Sequence, residues 1–568
     1  LNTVIPANII KEASAVIKVQ QQLVNLTKSQ FKTVLASIQE LPFADDISHI
    51  LELILIAAEA RVLNLEVYAE FTAFLSDFSE DYSMIKSEIF RLFYPEKVKY
   101  YYFLKYVQLC VSQGYISDDE IAYAVENFRS DYPNEVIPTA YLFYYFAPFL
   151  QTCNKKLYDD LYKTYQKSAS RFGVFHEIQS FIPRVPKLSA NNWELYWKEM
   201  EVGYPSDTLE YIIKTDDVQT LQDRSQNDRN FDINQEVKLH SYECSSIPES
   251  NATLVQFAAY YGSMKCFRFL MKNADISVTK SPEFPTECFA IAGGNSEVID
   301  SFIKRRCGFK EALKTTVSCH RYDLFDSIYA KNKDKVAFHS AAGSSNLTAL
   351  IFFIEHGSDV NQVAPNDNED IIETPLHFAA KFGRSDSTQL LLSHKKIETN
   401  VGAGLRTPLH IAAAKGFSEV VDLLIKMSKS LDVNALTGAN RTALQDAAHF
   451  GHLRVVQSLL AVKGIELNGD VPTPIQEAVK NGFAQVSMAI LETNGVDLSV
   501  IDDDENNLLH LAASSGNAEI VEDLLSSKSP KIKKQLSAVN RYQQTPFALA
   551  AEKPLSDCVA AFIRCGGS

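Results

Sequence analysis

A motif that recurs about every 33 residues dominates the second half of the chain. Its clearest copies are "TPLHFAAKFG" from Thr374, "TPLHIAAAKG" from Thr407, "TALQDAAHFG" from Thr442, "TPIQEAVKNG" from Thr473 and "NLLHLAASSG" from Asn507. The starts are 33, 35, 31 and 34 residues apart, and a further copy follows 38 residues later at Thr545. A period of this length predicts stacked two-helix units, each of which buries its apolar face against the next.

The copy at 404–435 shows how one unit is built. Thr407 is placed to cap a helix that begins at Pro408, a residue whose missing N–H is not needed in the first turn. Small alanines at 412–413 allow close helix packing, and Gly416 suits the left-handed turn that ends the helix. An apolar stripe at 420–424 then predicts a second helix with one buried face.

This pattern resembles the ankyrin repeat over most of residues 370–568. Weaker copies extend it upstream: "TLVQFAAYYG" at Thr253, "TECFAIAGGN" at Thr286, "EALKTTVSCH" at Glu311, "VAFHSAAGSS" at Val336 and a looser helix pair near Asp207. The resemblance implies an all-α solenoid of roughly ten or eleven units. We expect degenerate ankyrin repeats at 206–370 and regular repeats with a C-terminal cap at 371–568. The degenerate units are similar to those that precede regular ones in large expanded families of protist proteins.

Residues 1–185 lack this period and predict an α-helical N-terminal domain. In "SDDEIAYAVENF", Ser117 and Glu120 form a capping-box sequence at a helix start. The two prolines of "SFIPRVPKLSANNW", from Ser180 to Trp193, predict a domain boundary, with a linker or elbow at 186–205. The helical segment loosely resembles those that precede the repeats in the protist families, and this resemblance implies no activity.

Two aromatic runs stand out in the helical segment, "KYYYFLKYV" from Lys99 to Val107 and "AYLFYYFAPFL" from Ala140 to Leu150. Burial in the core is the favoured interpretation. Exposed rings would instead make the segment a second docking surface, because tyrosine is a good interface anchor.

Composition excludes several classes of protein. The chain has 70 acidic and 55 basic side chains, a net charge of −15, and it lacks the basic patch of a nucleic-acid binder. Its longest apolar stretches are interrupted well before the roughly 20 residues that span a bilayer. Nine dispersed cysteines without a C-x-x-C pair indicate reduced thiols and a cytoplasmic protein.

The histidine of the motif is predicted to be structural. The same slot holds His377, His410 and His510 in three copies, Gln445 and Gln476 in two others, and Ala548 in the last. Histidine and glutamine share hydrogen-bonding capacity but not proton transfer near neutral pH. In ankyrin repeats this side chain hydrogen-bonds near the repeat's threonine and the next unit, so we expect the same here.

No other motif predicts catalysis, a cofactor or a metal. "VGAG" before Leu405 lacks the strand and third glycine of a dinucleotide site, and "DDDEN" from Asp502 lacks EF-hand spacing. One enzymatic alternative stays open, in which His49 or His176 meets Cys110 or Cys153 in the N-terminal domain.

The sequence therefore predicts a non-enzymatic scaffold or adaptor that binds other proteins through the concave face and finger tips of its repeats. The alternatives are a structural component of a cytoskeletal or other large assembly, and an effector with its chemistry in residues 1–185. The predicted contact residues on the face precede each turn glycine: Lys381, Phe382, Ala414, Lys415, His449, Phe450, Lys480, Asn481, Ser514 and Ser515. Those at the tips are Asn366, Asp367, Arg406, Arg441, Asp503 and Tyr542. Of these tips, the long "APNDNEDIIE" insert before Thr374 is the best placed to reach a partner.

Overall fold

A computed structural model describes most of the chain. The described residues are 5–61, 64–94, 101–132, 136–168, 176–202, 204, 208–228, 231–237, 252–274, 285–304, 312–330, 336–364, 372–402, 406–469, 472–527, 529–552 and 556–566. They are helical almost throughout, as the sequence predicts.

Thirteen α-helices precede the first strand of the described chain. They are α1 (Ala7–Val24), α2 (Phe31–Gln39), α3 (Ile47–Ala60), α4 (Leu65–Phe78), α5 (Ile85–Arg91), α6 (Tyr101–Ser112), α7 (Asp118–Asp131), α8 (Val136–Cys153), α9 (Lys155–Ser168), α10 (His176–Leu188), α11 (Glu194–Val202), α12 (Leu209–Lys214) and α13 (Val218–Asn227). Short 3₁₀ turns lie at Lys28–Gln30, Glu80–Met84 and Ala190–Trp193. Two strands, β1 (Glu236–Val237) and β2 (Ala252–Thr253), pair antiparallel, with Glu236 opposite Thr253.

The remaining helices follow in pairs. Those up to residue 355 are α14 (Leu254–Tyr261), α15 (Met264–Asn273), α16 (Thr286–Gly293), α17 (Ser296–Lys304), α18 (Ala312–Ser318), α19 (Tyr322–Tyr329), α20 (Val336–Gly343) and α21 (Leu347–Glu355). Those beyond it are α22 (Pro375–Lys381), α23 (Ser385–Leu392), α24 (Pro408–Lys415), α25 (Ser418–Met427), α26 (Ala443–Phe450), α27 (Leu453–Leu460), α28 (Pro474–Lys480), α29 (Ala484–Leu491), α30 (Leu508–Ser515), α31 (Ala518–Ser526), the short α32 (Pro530–Gln535), α33 (Pro546–Glu552) and α34 (Ser556–Gly566).

The chain divides into two compact units. One comprises Leu1–Ile10, Arg129–Glu135 and Leu350–Ser568, and the other comprises Lys11–Phe128 and Val136–Ala349. The second unit thus holds most of the helical N-terminal segment together with the helix pairs from α12 to α20. The domain boundaries drawn from the sequence, at 185, 205 and 370, remain predictions.

Helix α8 forms the centre of the helical segment. Its side chains from Pro138 to Leu150 are all buried, so the aromatic run within it packs in the core. Pro148 has no N–H to donate to the carbonyl of Tyr144, four residues earlier. The hydroxyl of Tyr196 supplies the missing donor at 3.0 Å, and it lies 2.9 Å from the carbonyl oxygen of Tyr145. A tyrosine from α11 therefore satisfies the backbone that the helix-internal proline leaves open.

The other aromatic run lies mainly in α6, where Phe103 and Tyr106 are fully buried. The Tyr106 hydroxyl lies 2.7 Å from the Thr72 hydroxyl of α4, so its polar end is also satisfied. The described rings of the two runs support core packing, the favoured interpretation, and give no support to a docking surface there.

The sequence also predicts two local features of this segment. At the start of α7, the Ser117 amide donates to the Glu120 carboxylate at 2.8 Å, and the Glu120 amide faces the Ser117 hydroxyl at 3.3 Å, which confirms the capping box. The stretch predicted as a linker is largely helical and contains the end of α10 and all of α11. A sharp bend separates them, because Asn191 and Asn192 adopt left-handed φ angles of 50° and 54°.

Eleven helix pairs follow one another between α12 and α34 in the described residues, in line with the expected number of repeats. Within the unit that contains Leu350–Ser568, the first helices of successive pairs pack side by side, as do the second helices. In the first compact unit the inner row is α22, α24, α26, α28, α30 and α33. The outer row is α23, α25, α27, α29, α31 and α34.

Candidate interaction face of the regular repeats

The helices of the inner row carry the residues that the sequence predicts as partner contacts. We call the last-turn side chains of α22, α24, α26, α28 and α30 the inner-helix face; it comprises Lys381, Phe382, Ala414, Lys415, His449, Phe450, Lys480, Asn481, Ser514 and Ser515. Each inner helix begins at a Thr or Asn cap and ends beside a glycine, so these side chains occupy equivalent positions in successive repeats.

The motif histidine supports this face with hydrogen bonds that recur in successive repeats. The His410 Nδ1 atom lies 2.8 Å from the Thr407 hydroxyl and faces the Thr407 amide at 3.4 Å, while Nε2 lies 3.1 Å from the carbonyl oxygen of Arg441 in the next repeat. A backbone N–H can only donate, so Nδ1 accepts and Nε2 carries the proton. Burial lowers the pKa of His410, which favours the neutral ring.

Other copies of the slot make the same link. The Nε2 atoms of His377 and His510 lie 3.1 and 2.8 Å from the carbonyl oxygens of Arg406 and Gln544, respectively. The side-chain amide of Gln445 donates to the Pro472 carbonyl at 2.8 Å. These bonds support a structural role for the slot in four copies. In a fifth copy, the buried side-chain nitrogen of Gln476 has no hydrogen-bond partner among the described residues.

A second set of inter-repeat hydrogen bonds was not predicted from the sequence. The Asn400 side chain donates to the Ser430 carbonyl and accepts from the Asp432 amide at 2.9 Å, and Asn434 makes the equivalent pair of bonds to the next repeat. Asn361 and Asn468 complete the series. The signal was present in the sequence, since "DVNQ", "ETNV", "DVNA" and "ELNG" carry the asparagine at corresponding positions.

The inner-helix face is unevenly exposed. Lys480 and Ser514 are exposed, and Lys415 and Phe450 are half-buried. Ala414 is only 6 % exposed, so it offers a partner little surface. The face therefore presents long side chains over a buried layer of alanines.

Lys381 and Phe382 form part of a local cluster. The Lys381 ammonium lies 2.9 Å from the Glu373 carboxylate and 5.6 Å from the ring centre of Phe378. The ring centres of Phe378 and Phe382 are 6.4 Å apart. A cation over aromatic rings at a half-buried site suits an interface, because both groups lose little freedom when covered.

Three other predicted residues meet in a charged network. Arg441 pairs with Asp446 at 2.8 Å and with Glu477 of the next repeat, and His449 Nδ1 lies 2.9 Å from Glu477 Oε2. The Asn481 amide lies 3.4 Å from the same His449 nitrogen. Burial alone would raise the pKa of Glu477, but the bonds from His449 and Arg441 outweigh it and lower that pKa. Arg441, predicted as a tip contact, thus also joins two repeats.

The two acids of this network were not predicted from the sequence, although the sequence contains a signal for them. Asp446 and Glu477 are 1 % and 4 % exposed and occupy the fourth position after the cap residue. The same position holds Phe378, Ile411 and Leu511 in the other regular repeats. An acid at an apolar position in two neighbouring repeats indicates a buried ion pair.

The predicted finger tips are partly described. Arg406 and Asp503 are exposed, and Tyr542 is 64 % exposed. The Tyr542 hydroxyl lies 3.3 Å from the Asp504 carboxylate, which connects two successive tips. Asn366 and Asp367, with most of the long insert before Thr374, lie outside the described residues.

The surroundings of the candidate cysteines and of His49 give no support to the enzymatic alternative. Burial raises the pKa of the Cys110 thiol to about 12 and that of Cys153 to about 11, so both are protonated and poorly nucleophilic at neutral pH. The His49 ring stacks on Phe43 with 3.9 Å between centres, and the side chain of His176 is outside the described set. Five of the seven described cysteines are buried, and none of the seven is in a disulfide.

Within the described ranges, His, Cys, Asp and Glu side chains form no group of three that could hold a metal ion. Every helix in those ranges is too short or too polar to cross a bilayer.

Comparison with known proteins identifies the repeats. A family model described as ankyrin repeats in three copies matches residues 399–471 and 475–567, and one described as ankyrin repeats in many copies matches residues 338–392. Among solved structures, the chain is similar to the ankyrin repeat domain of Bcl-3, a member of the IkappaB family, with 21 % identity, a TM-score of 0.33, and coverage of 40 % of this chain and 97 % of that one. It is also similar to the human ASB11 ankyrin repeat domain, with 24 % identity, a TM-score of 0.33, and coverage of 42 % and 99 %.

Proposed function

We propose that this chain, which carries ankyrin repeats at residues 338–392, 399–471 and 475–567, is a non-enzymatic scaffold that binds other proteins on its inner-helix face. Ankyrin repeats are protein-interaction modules, and the repeats supply the coarse part of the proposal. The finer part, a scaffold or adaptor role with named contact residues, is our inference.

One observation carries the choice of surface. In α22, α24, α26, α28 and α30, the cap residue, the histidine or glutamine slot and the alanines that follow it are buried. The last-turn side chains that carry charge or a ring keep part of their surface exposed. Lys381, Lys415 and Lys480 place three ammonium groups along one row, with Phe382 and Phe450 among them. Rigid helices hold these groups at fixed spacing, so binding a partner orders little of the backbone.

Charge suggests the chemistry of the partner. A row of lysines interleaved with rings favours an acidic or amphipathic protein segment, because electrostatic attraction steers its approach and the rings supply buried area. The lack of a reactive thiol at Cys110 and Cys153 supports binding over catalysis. The dispersed cysteines, which include no C-x-x-C pair, favour reduced thiols and therefore a cytoplasmic location.

The test is affinity capture with the tagged full chain from its native cells, read by mass spectrometry. The variant Lys415→Glu/Phe450→Ala reverses one charge and removes one ring in neighbouring repeats, and it leaves the cap residues and the histidine or glutamine slots unchanged. We expect the captured partners to fall by about tenfold or more, the loss of a modest hot spot. Circular dichroism and thermal melting should show a folded protein.

A matched control changes the outer row of the same repeat. Arg454 and Gln457 are exposed on α27, and the variant Arg454→Glu/Gln457→Ala alters charge and size in a similar way. Its capture should equal that of the unchanged chain. Equal capture by the Lys415/Phe450 variant, or a larger loss with the control, would reject the inner-helix face as the binding surface.

A further inference from the structure

A cleft of about 450 Å³ lies in the second compact unit. It is bounded by the end of α1 and the turn after it, the end of α3, the ends of α14 and α16, and the start of α19. Its size falls within the range of about 300–1,000 Å³ typical of small-molecule sites. The helical N-terminal segment and the degenerate repeats both contribute walls, so neither forms the cleft alone.

The lining has an excess of positive charge. Arg61 and Arg321 line the cleft together with one carboxylate, Asp323. Asp323 already forms an ion pair with Arg321, whose guanidinium donates to the carboxylate through two nitrogens at 2.9 and 2.6 Å. Arg321 also donates to the Ile291 carbonyl at 3.1 Å, which explains its position between two repeats.

Arg61 differs from Arg321, which is paired with a carboxylate. The Nη1 atom of Arg61 is shielded from solvent, and the residues that the structure describes provide no hydrogen-bond partner for that atom. Burial lowers the pKa of Arg61; Cys319, Tyr68 and Asp323 act in the opposite direction, and repulsion from Arg321 acts in the same one. A guanidinium stays charged in proteins, and a shielded cation without an anion is costly. The lining has two arginines and one carboxylate, and that carboxylate is bound to Arg321.

The lining also contains a histidine, but other groups already hold its ring. His320 is 1 % exposed, and its two ring nitrogens lie 2.8 Å from the Tyr322 hydroxyl and 2.8 Å from the Ser344 carbonyl. It is therefore held as a structural group, like the motif histidines. The exposed Asn64, at the rim beside Arg61, leaves the cleft open to a ligand from solvent.

We propose that this cleft binds a small molecule bearing an oxyanion, a phosphate or a carboxylate, with Arg61 as its anchor. A guanidinium recognises both groups with paired N–H donors in one plane. The ligand's negative charge would offset Arg61, as Asp323 offsets Arg321. The proposal is independent of protein binding by the inner-helix face.

Isothermal titration calorimetry with the full chain tests the proposal, with inorganic phosphate and succinate as probes at constant ionic strength. We expect saturable binding of at least one probe, and the two arms distinguish phosphate from carboxylate recognition. Arg61→Gln should weaken that binding by about tenfold or more, because it removes the charge. Arg268→Gln, which removes an exposed arginine paired with Glu297 in the same unit, should leave it unchanged.

A second variant keeps the test decisive if Arg61→Gln does not fold. Asn64→Trp narrows the rim at an exposed position and leaves Arg61 intact, and it should also abolish binding. Absence of saturable binding to both probes would overturn the proposal. So would unchanged affinity in Arg61→Gln, or unchanged affinity in Asn64→Trp where the first variant is unfolded.

Discussion

His410 joins two repeats with a single side chain. Because Nδ1 accepts from the Thr407 amide and Nε2 donates to the Arg441 carbonyl, the ring must be neutral. Glutamine supplies the same acceptor and donor, and Gln445 does so in the next repeat. The physical requirement at this slot is therefore one acceptor and one donor at fixed separation, and the imidazole needs no chemistry of its own.

Replacing His410 by glutamine should leave the free energy of unfolding at pH 7.5 within about 1 kcal/mol of the original, whereas alanine should cost about 2 kcal/mol by breaking both links. The glutamine variant should also lose less stability in acid. The folded-state pKa of His410 is lowered, so its contribution is present above the unfolded value near 6.5 and is lost as pH falls below it.

Urea unfolding at pH 7.5 and 5.5 measures both effects. The original chain should lose more stability between these values than His410→Gln, by at most about 1.4 kcal/mol per pH unit. Equal losses would show that the ring is not held neutral.

Glu477 illustrates a residue whose role depends on a neighbouring repeat. Removing it leaves Arg441 with the Asp446 carboxylate and the Gln445 carbonyl, and it removes the carboxylate beside His449. Glu477→Ala should therefore destabilise the fold by about 2–3 kcal/mol, near the lower end for broken buried pairs. In a double-mutant cycle with Arg441→Ala, the double variant should cost less than the sum of the single ones. Additive costs would deny a direct interaction.

The turns between inner and outer helices show why glycine recurs there. Gly451 has a φ of 77°, and a Cβ at this position would lie 2.7 Å from the ring of Phe483, the residue after the next turn glycine. Phe417 and His452 cover Gly383 and Gly416 in the same way. Each glycine thus allows both the left-handed turn and the close approach of the next repeat.

Gly451→Ala should cost about 2–3 kcal/mol, since strain in the left-handed turn adds to the displacement of the Phe483 ring. Gly464→Ala is a matched control: its φ is 87°, but nothing lies within 4 Å of the added Cβ. It should cost about 1 kcal/mol. Urea unfolding compares the two, and equal costs would show that the ring contact contributes nothing.

The repeats were predictable because their signals are local. Caps, turn glycines and the histidine slot lie within ten residues of one another, as in the segment from Thr407 to Gly416. The Arg441–Glu477 pair spans 36 residues, so an isolated copy of the motif does not reveal it. The cleft that holds Arg61 and Arg321 depends on packing between segments about 260 residues apart, for which the sequence carries no periodic signal.

In the whole chain, we assign protein binding and oxyanion binding to different compact units. The inner-helix face belongs to the unit that contains Leu350–Ser568, and the oxyanion cleft belongs to the unit that contains Val136–Ala349. Arg61→Gln should consequently leave protein capture by the full chain unchanged, while Lys415→Glu/Phe450→Ala should leave titration with phosphate or succinate unchanged. Loss of both activities in either variant would indicate unfolding or coupling between the sites.

Site-specific photo-crosslinking in native cells tests the central claim most directly. A photoreactive phenylalanine analogue placed at Phe450 should form covalent adducts with another protein, while the same group at Gln457, exposed on the outer helix of that repeat, should form few. Adducts concentrated at Gln457, or equal at the two positions, would contradict binding by the inner-helix face.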